Sequence, residues 1–348
     1  MPNCWGAFVG GLLQFGIQLP WVLRLDREIR VNLGRGQAAF REVLRNAGPA
    51  IMGRGVVQLS SYVDMVLASL LAIGAVAHLR YAQTLYVLPV SLFGMSVAAA
   101  ELPELARERD GAIEALRERT VAAIRRVAFY VIPSAVAFIA LGEVLVAGLY
   151  QAGEFNVSNV AVVWLTLSAY GIGLLASTTT RIYQSAFFAL RDTKTPARVA
   201  TLRVAVSALL GALLMLQFEA VTLGSLSIPA GMLGGLTIDG IPLGPVGLAM
   251  GASIGAWLEW ALLRRRLMRQ LGTFAAARGH YLPMLGAAFI AAGAGYGLAW
   301  LMRDLYPLAK AVLVGGAFGV VYLSVARTFG LSEARVFMDS VVRRIRRR

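Results

Sequence analysis

The sequence has a single cysteine, Cys4, and two histidines, His78 and His280. One cysteine excludes a disulfide within the chain and a cysteine-based zinc site, and two distant histidines make no metal constellation. Charge is scarce as well. Asp and Glu number 19, and all charged residues together make up 15%, where a soluble domain carries about 25%. No G-x-x-x-x-G-K-S/T phosphate loop occurs, nor H-E-x-x-H, G-x-S-x-G or a dinucleotide-binding glycine pattern. Those absences remove an internal ATPase and the common soluble hydrolases and dehydrogenases. What fills the space is apolar: 58% of 348 residues are hydrophobic and the mean hydropathy is +0.67. Such a composition excludes disorder and argues against a water-soluble globule.

A bilayer core of about 30 Å is crossed by roughly 20 apolar helical residues. Nine stretches qualify: 3–23, 47–72, 79–100, 127–149, 160–189, 199–218, 244–263, 282–302 and 308–329. The first is not a secretory signal, because its first basic residue, Arg24, follows the apolar run instead of preceding it.

The basic residues then orient the chain. Apart from Arg54, Arg80, Arg181, Arg303 and Lys310, all 33 Lys and Arg fall in 24–45, 101–126, 190–203, 264–278 and the tail from 327 onward. These are alternate connections. Lys and Arg gather in short cytoplasmic loops, which predicts an outer N-terminus and a cytoplasmic C-terminus. The net charge of +14 is therefore topogenic, with the Arg343–Arg348 tail suited to an anionic leaflet; nucleic acid is not an expected partner.

Segment 219–243 contains no Lys or Arg and several Gly and Pro, and reads as an outer loop with a small hairpin. Segment 101–126 alternates acidic and basic residues over a helical apolar pattern, which fits either an amphipathic surface helix or a solvated connecting helix. Gly247, Gly251 and Gly255 recur every fourth residue, the spacing of a close helix-packing seam.

A charge at membrane depth is costly and is a functional candidate by default. Arg54 and Asp64 lie ten residues apart on the second span, roughly 80° apart around a helix and about 15 Å along it. With Gln58 and Ser61 they form a polar stripe, which can line a cavity or pair with charges on other helices. Arg181 lies among Ser177, Thr178, Thr179, Thr180 and Gln184, placed either to bind an anion or to snorkel toward the cytoplasmic face. Glu143 and Glu259 sit near span ends, and Glu259 is five residues from Arg264, which predicts an interfacial position. Guanidinium groups in such a cavity match phosphate oxygens.

Several strings carry a family resemblance. Gly10-Gly11-x-x-Gln14-x-x-x-Gln18-x-Pro20 resembles the sixth helix of the MurJ/MviN lipid II flippases. Tyr81-Ala82, Leu85-Tyr86, Leu88-Pro89, Phe93-Gly94 and Leu102-Pro103 resemble the eighth helix and its cytoplasmic exit. Gly153-Glu154-Phe155 resembles the outer turn after the ninth, and Phe188-Ala189-Leu190-Arg191-Asp192-Thr193-Lys194-Thr195-Pro196 the family's strongest signature, between helices ten and eleven. Their order matches the family's and they cover most of the chain.

The resemblance implies an all-α polytopic protein of the bacterial inner membrane, with about nine transmembrane helices matching helices six to fourteen of a two-lobed flippase. Residues 1–100 would hold the last helix of one lobe, a cytoplasmic linker and the first cavity helices; 101–126 a cytoplasmic amphipathic connection; 127–348 the remaining C-terminal lobe and basic tail. The family's first five helices, expected in the full-length protein, are missing here. The implied activity is flipping of undecaprenyl-pyrophosphate-linked peptidoglycan precursor by alternating access. Exporters of another polyprenyl-linked glycan or of small molecules are the alternative within the same superfamily. The implied partners are that anionic lipid-linked precursor and phospholipid. No cofactor is expected beyond a coupling monovalent cation or proton. Arg54, helped by Arg80 or Arg181 and by Gln58 and Ser61, would contact the pyrophosphate, and Asp64 would bind the ion or organise Arg54. Two departures stand out. Thr84 occupies the place of a functional arginine of the family. Polar positions of its helix eleven are Ser207 and Gly211 here, which argues against a sodium site.

Overall fold

The computed structural model describes residues 2–25, 60, 62–95, 113–223, 226–272 and 278–338. Two units are distinguished, Met1–Gly48 and Pro49–Arg348. In the first, α1 (Pro2–Leu25) is one unbroken helix that contains Pro20. Its described side chains, Val9 to Leu19 among them, are exposed and mostly apolar. A helix satisfies its own backbone groups, so a helical apolar surface of this kind suits hydrocarbon.

In the second unit, residues 62–69 are helical. A turn follows in which Gly74 takes φ +98°, a conformation open to glycine at little cost. Helix α2 (Ala75–Pro89) continues as a wide π turn over Val90–Met95. Pro89 has no amide hydrogen to donate, which loosens the ladder there. The widened turn packs tightly against Thr178, since a Cβ on Gly94 would lie 3.2 Å from the Thr178 methyl.

The amphipathic stretch 101–126 is not a separate element where it is described. Its residues from 113 onward are the first half of α3 (Ile113–Ala140). Leu116, Thr120, Ala123 and Ile124 are buried, so this apolar stripe faces protein. The expected span 127–149 is likewise divided, breaking at Leu141 before α4 (Gly142–Tyr150). The indole of Trp164 donates to the Ile139 carbonyl at 3.0 Å, one of the groups a helix end leaves open. A Cβ on Gly142 would lie 2.5 Å from that indole.

The remaining helices follow the expected spans closely: α5 (Val157–Ala189), α6 (Lys194–Phe218), α7 (Gly244–Leu271), α8 (Arg278–Leu301) and α9 (Pro307–Thr328). Among the described residues, six helices, α3 and α5 to α9, are long and apolar enough to cross a membrane. Helix α5 is central, with 67% of its apolar window buried, and α9 peripheral, with 17%. Exposed Leu209, Leu213, Phe289, Val312 and Val320 give the bundle a lipid-compatible outside.

Without a hydrophobic drive between helices in lipid, close packing and interhelical hydrogen bonds hold a bundle. Both are present. The Ser253 hydroxyl donates to Ala169 O at 2.6 Å, the Trp257 indole to Ile172 O at 2.9 Å, and the Tyr322 hydroxyl to Phe129 O at 2.6 Å. The glycine seam of α7 meets α6: Cβ atoms on Gly247, Gly251 and Gly255 would lie 2.6 Å from Leu214, 2.4 Å from Gly211 and 1.9 Å from Ser207.

Between α6 and α7 the chain forms two short hairpins, β1 (Val221–Leu223) with β2 (Leu226–Ile228) and β3 (Thr237–Ile238) with β4 (Ile241–Pro242). The second turns on Asp239 (φ +48°) and Gly240 (φ +80°), the paired positive φ values of a tight two-residue hairpin.

Candidate functional site

A buried polar centre lies where helical residues 62–69, α2, α5, α6 and α7 meet. Glu259, on α7, is fully buried. Its Oε2 accepts from Arg203 Nη1 at 2.8 Å and its Oε1 from Gln184 Nε2 at 3.0 Å. One carboxylate thus ties α7 to both α6 and α5. The Arg203 Nε is buried with no hydrogen-bond partner. Asp64 is buried, at 8% exposure, and is not within the 4.0 Å that defines an ion pair with Arg203.

The wall opposite is built by α2 against α5. The Tyr86 hydroxyl lies 2.6 Å from Ser177 Oγ, and Gln83 Nε2 donates to the Tyr170 hydroxyl at 3.0 Å. The tyrosine rings of these two pairs lie 5.1 Å apart. The neighbouring hydroxyls of Thr178 and Thr179 bond back to carbonyls of α5, whereas that of Thr180 is buried and unpartnered. Buried polar groups that are partnered rigidify a site, and a buried ion pair that loses one partner becomes costly.

The sequence candidates are distributed unevenly over this geometry. Asp64 is buried on helical residues 62–69. Arg54, Gln58 and Ser61 lie outside the described residues. Arg80 is exposed near the start of α2, where its guanidinium reaches Met65 Sδ at 3.4 Å, and Thr84 is exposed one turn on, bonded to Arg80 O at 2.9 Å. Arg181 is half-buried on α5, beside the hydroxyl run. Glu259 does not lie at an interface as its nearness to Arg264 suggests: it turns inward to Arg203. Arg203 was hidden by being counted with the basic loop 190–203. With α6 starting at Lys194, it lies more than two turns inside the helix. The usable signal was the Gly255–Glu259 spacing, which puts the carboxylate on the seam face of α7.

Among the described residues no group of three His, Cys, Asp or Glu side chains could hold a metal. Ser207 offers a buried, unpartnered hydroxyl, but it presses on Gly255, and Gly211 offers no side chain.

The resemblance motifs are structural joints. Tyr81, Tyr150 and Phe155 cluster with ring centroids 4.6, 5.2 and 6.2 Å apart, clamping α2 to the α4–α5 turn. His78 Nε2 lies 2.7 Å from Asn159 Oδ1. The signature 188–196 is a reversal: Arg191 takes φ +58°, Asp192 N donates to Phe187 O at 2.9 Å, and Asp192 Oδ1 accepts from Thr195 N at 2.9 Å. At the other end of α6, Glu219 Oε1 accepts from Ala72 N, and its Oε2 is buried without a partner. Burial pushes the Glu219 carboxyl above the usual glutamate range, partly opposed by the Ala72 amide.

A sequence profile described as lipid II flippase MurJ matches residues 3–238. A probable lipid II flippase MurJ of Vibrio cholerae is 29% identical over 266 residues, covering 76% of this chain and 46% of the relative. One of Rhizobium tropici is 33% identical over 211 residues, covering 60% and 39%. A lipid II flippase MurJ of Burkholderia cenocepacia is 28% identical over 345 residues, covering 95% and 62%. The first of these relatives are matched over about half their length or less. A solved lipid II flippase MurJ in an inward closed conformation shares the fold, with a TM-score of 0.61 at 23% identity over 83% of this chain and 54% of that one.

Proposed function

This chain belongs to the lipid II flippase MurJ family, as a multi-pass protein of the bacterial inner membrane, and we propose that it carries part of the machinery that moves a polyprenyl-pyrophosphate-linked peptidoglycan precursor between leaflets. The observation that carries the reading is the family match over residues 3–238. The buried Asp64 and the Arg203–Glu259 ion pair are consistent with it, since charges kept at membrane depth are expected where a polar cargo crosses.

On this reading Arg54 contacts the pyrophosphate, with Gln58 and Ser61 beside it and Arg80 or Arg181 assisting. A guanidinium can clamp phosphate oxygens through two parallel hydrogen bonds. Asp64 follows Arg54 by ten residues in the sequence and holds the position from which transport is coupled to an ion or a proton. The basic connections face the cytoplasm and the hairpins of 219–243 face outward.

Binding tests this without assuming transport. Detergent-purified chain is mixed with an undecaprenyl-pyrophosphate-linked precursor, or with undecaprenol, and examined by native mass spectrometry. The expected result is an adduct with the first, lost in Arg54→Ala. Equal retention of undecaprenol, or an unchanged adduct in Arg54→Ala, contradicts the assignment.

A further inference from the structure

We propose that the turn 229–236, between the two hairpins, is a membrane anchor: it lies at the headgroup boundary of the leaflet at the α6–α7 end and sinks its apolar side chains among phospholipid acyl chains. This contact with lipid stands apart from the transport reading. Only the identity of that leaflet as the outer one rests on the orientation given above.

The turn is folded back onto the end of α6. Gly231 N donates to the Leu216 carbonyl at 2.7 Å, one of the acceptors that a helix end leaves open. A Cβ on Gly231 would lie 2.5 Å from Gln217 Oε1, so the backbone rests directly on the last helical turn. Leu209, Leu213 and Leu216 recur at the spacing of one helix face, and the first two are exposed. The turn therefore extends, at the level of Leu216, the apolar side that α6 presents to hydrocarbon.

Its own surface is of the same kind. Met232 is 98% exposed, Leu236 50% and Leu233 40%. Residues 220–238 contain no Asp, Glu, Lys, Arg or His, and 229–236 carry no polar side chain at all. The next charge, Asp239, is held by protein, its carboxylate accepting from the Ser158 hydroxyl at the start of α5. Contiguous exposed apolar surface marks a protein or a membrane contact. A protein interface carries a polar rim, which this turn lacks, whereas its continuity with the lipid-facing side of α6 suits a membrane. Part of the backbone is also satisfied locally, Gly234 N donating to Gly231 O and Leu236 N to Leu233 O, both at 3.0 Å. Amides left open find headgroups and water at the boundary, as they would not deeper in the hydrocarbon.

The test is single-site fluorescence of the full chain in phospholipid vesicles. In a Cys4→Ser background, Met232→Cys carries a polarity-sensitive fluorophore. Leu213→Cys on α6 is the lipid reference, and Glu154→Cys, in the exposed turn before α5, the water reference. Nitroxide-labelled phospholipid and aqueous iodide are the two quenchers. At Met232→Cys the emission is expected to be blue-shifted relative to Glu154→Cys, quenched by the nitroxide lipid, and quenched by iodide far less than at Glu154→Cys. Iodide quenching equal to that at Glu154→Cys, with none from the nitroxide lipid, puts the turn in water and overturns the proposal. Protection from both quenchers means that protein covers the turn, a second copy or another segment, and overturns it equally. No arm uses the lipid-linked precursor, so failure here leaves the transport reading standing.

Discussion

Gly251 of α7 lies against Gly211 of α6 so closely that a Cβ on Gly251 would stand 2.4 Å from the Gly211 amide nitrogen. The contact is backbone to backbone, so no side chain can rotate to make room. Gly251→Leu is expected to push α6 and α7 apart and lower stability by about 1–3 kcal/mol or more. Gly293→Ala on α8, where a Cβ would meet nothing within 4 Å, is expected to leave stability unchanged or raise it by up to about 1 kcal/mol. Thermal melts of the detergent-purified variants compare the two; equal melting would refute the seam.

The Arg203–Glu259 pair gives a second expectation. Removing one partner leaves a buried charge uncompensated, which costs about 3–5 kcal/mol, whereas replacing both with apolar residues of similar size is much less harmful. Glu259→Ala is expected to melt well below the wild type and Arg203→Met/Glu259→Met close to it. A double variant as unstable as the single one would show that the pair matters through other contacts.

At the α5–α6 reversal, Asp192→Ala removes the acceptor of the Thr195 amide, and the loss of such a helix-start cap costs about 1 kcal/mol. Arg191→Gly relieves a left-handed conformation that costs an ordinary residue roughly 1–2 kcal/mol, against which the added freedom of glycine in the unfolded chain counts. The two substitutions are expected to move the melting temperature differently: down for Asp192→Ala, and little or upward for Arg191→Gly.

Glu219 gives the pH expectation. Burial raises its carboxyl in the folded protein, so folding favours the protonated form. The stability this group contributes is complete below the unfolded glutamate value of about 4.3 and is lost as pH rises through the folded value above it. The wild type is therefore expected to lose stability across that interval, and Glu219→Gln to lose less. Parallel pH–melting profiles for the two proteins would remove Glu219 from the account.

Much of this fold was readable because the bilayer imposes a simple length rule, and spans 160–189, 199–218, 244–263, 282–302 and 308–329 each correspond to one helix. The rule reads apolar runs, so it failed where polar residues continue a helix. The Glu and Arg residues of 113–126 stayed out of the expected span although α3 carries them without a break. The same bias cost the site its main cation. Arg203 was grouped with loop charges by its sequence neighbours, while its helix turns it inward to Glu259. Asp64 was found because its surroundings in sequence are apolar on both sides. The Asp239-Gly240 turn was a legible hairpin signal, and the residues before it supplied a second hairpin that composition alone did not resolve.

The role proposed for this chain is a part in moving a pyrophosphate-linked lipid across the membrane. Its most direct test is to reconstitute the purified protein, in its native full length, into vesicles loaded with a labelled polyprenyl-pyrophosphate precursor and to measure how much label becomes accessible to an impermeant reagent on the far leaflet. The account predicts exposure above protein-free vesicles for the wild type and near that background for Arg54→Ala; wild-type exposure no greater than protein-free vesicles would contradict it.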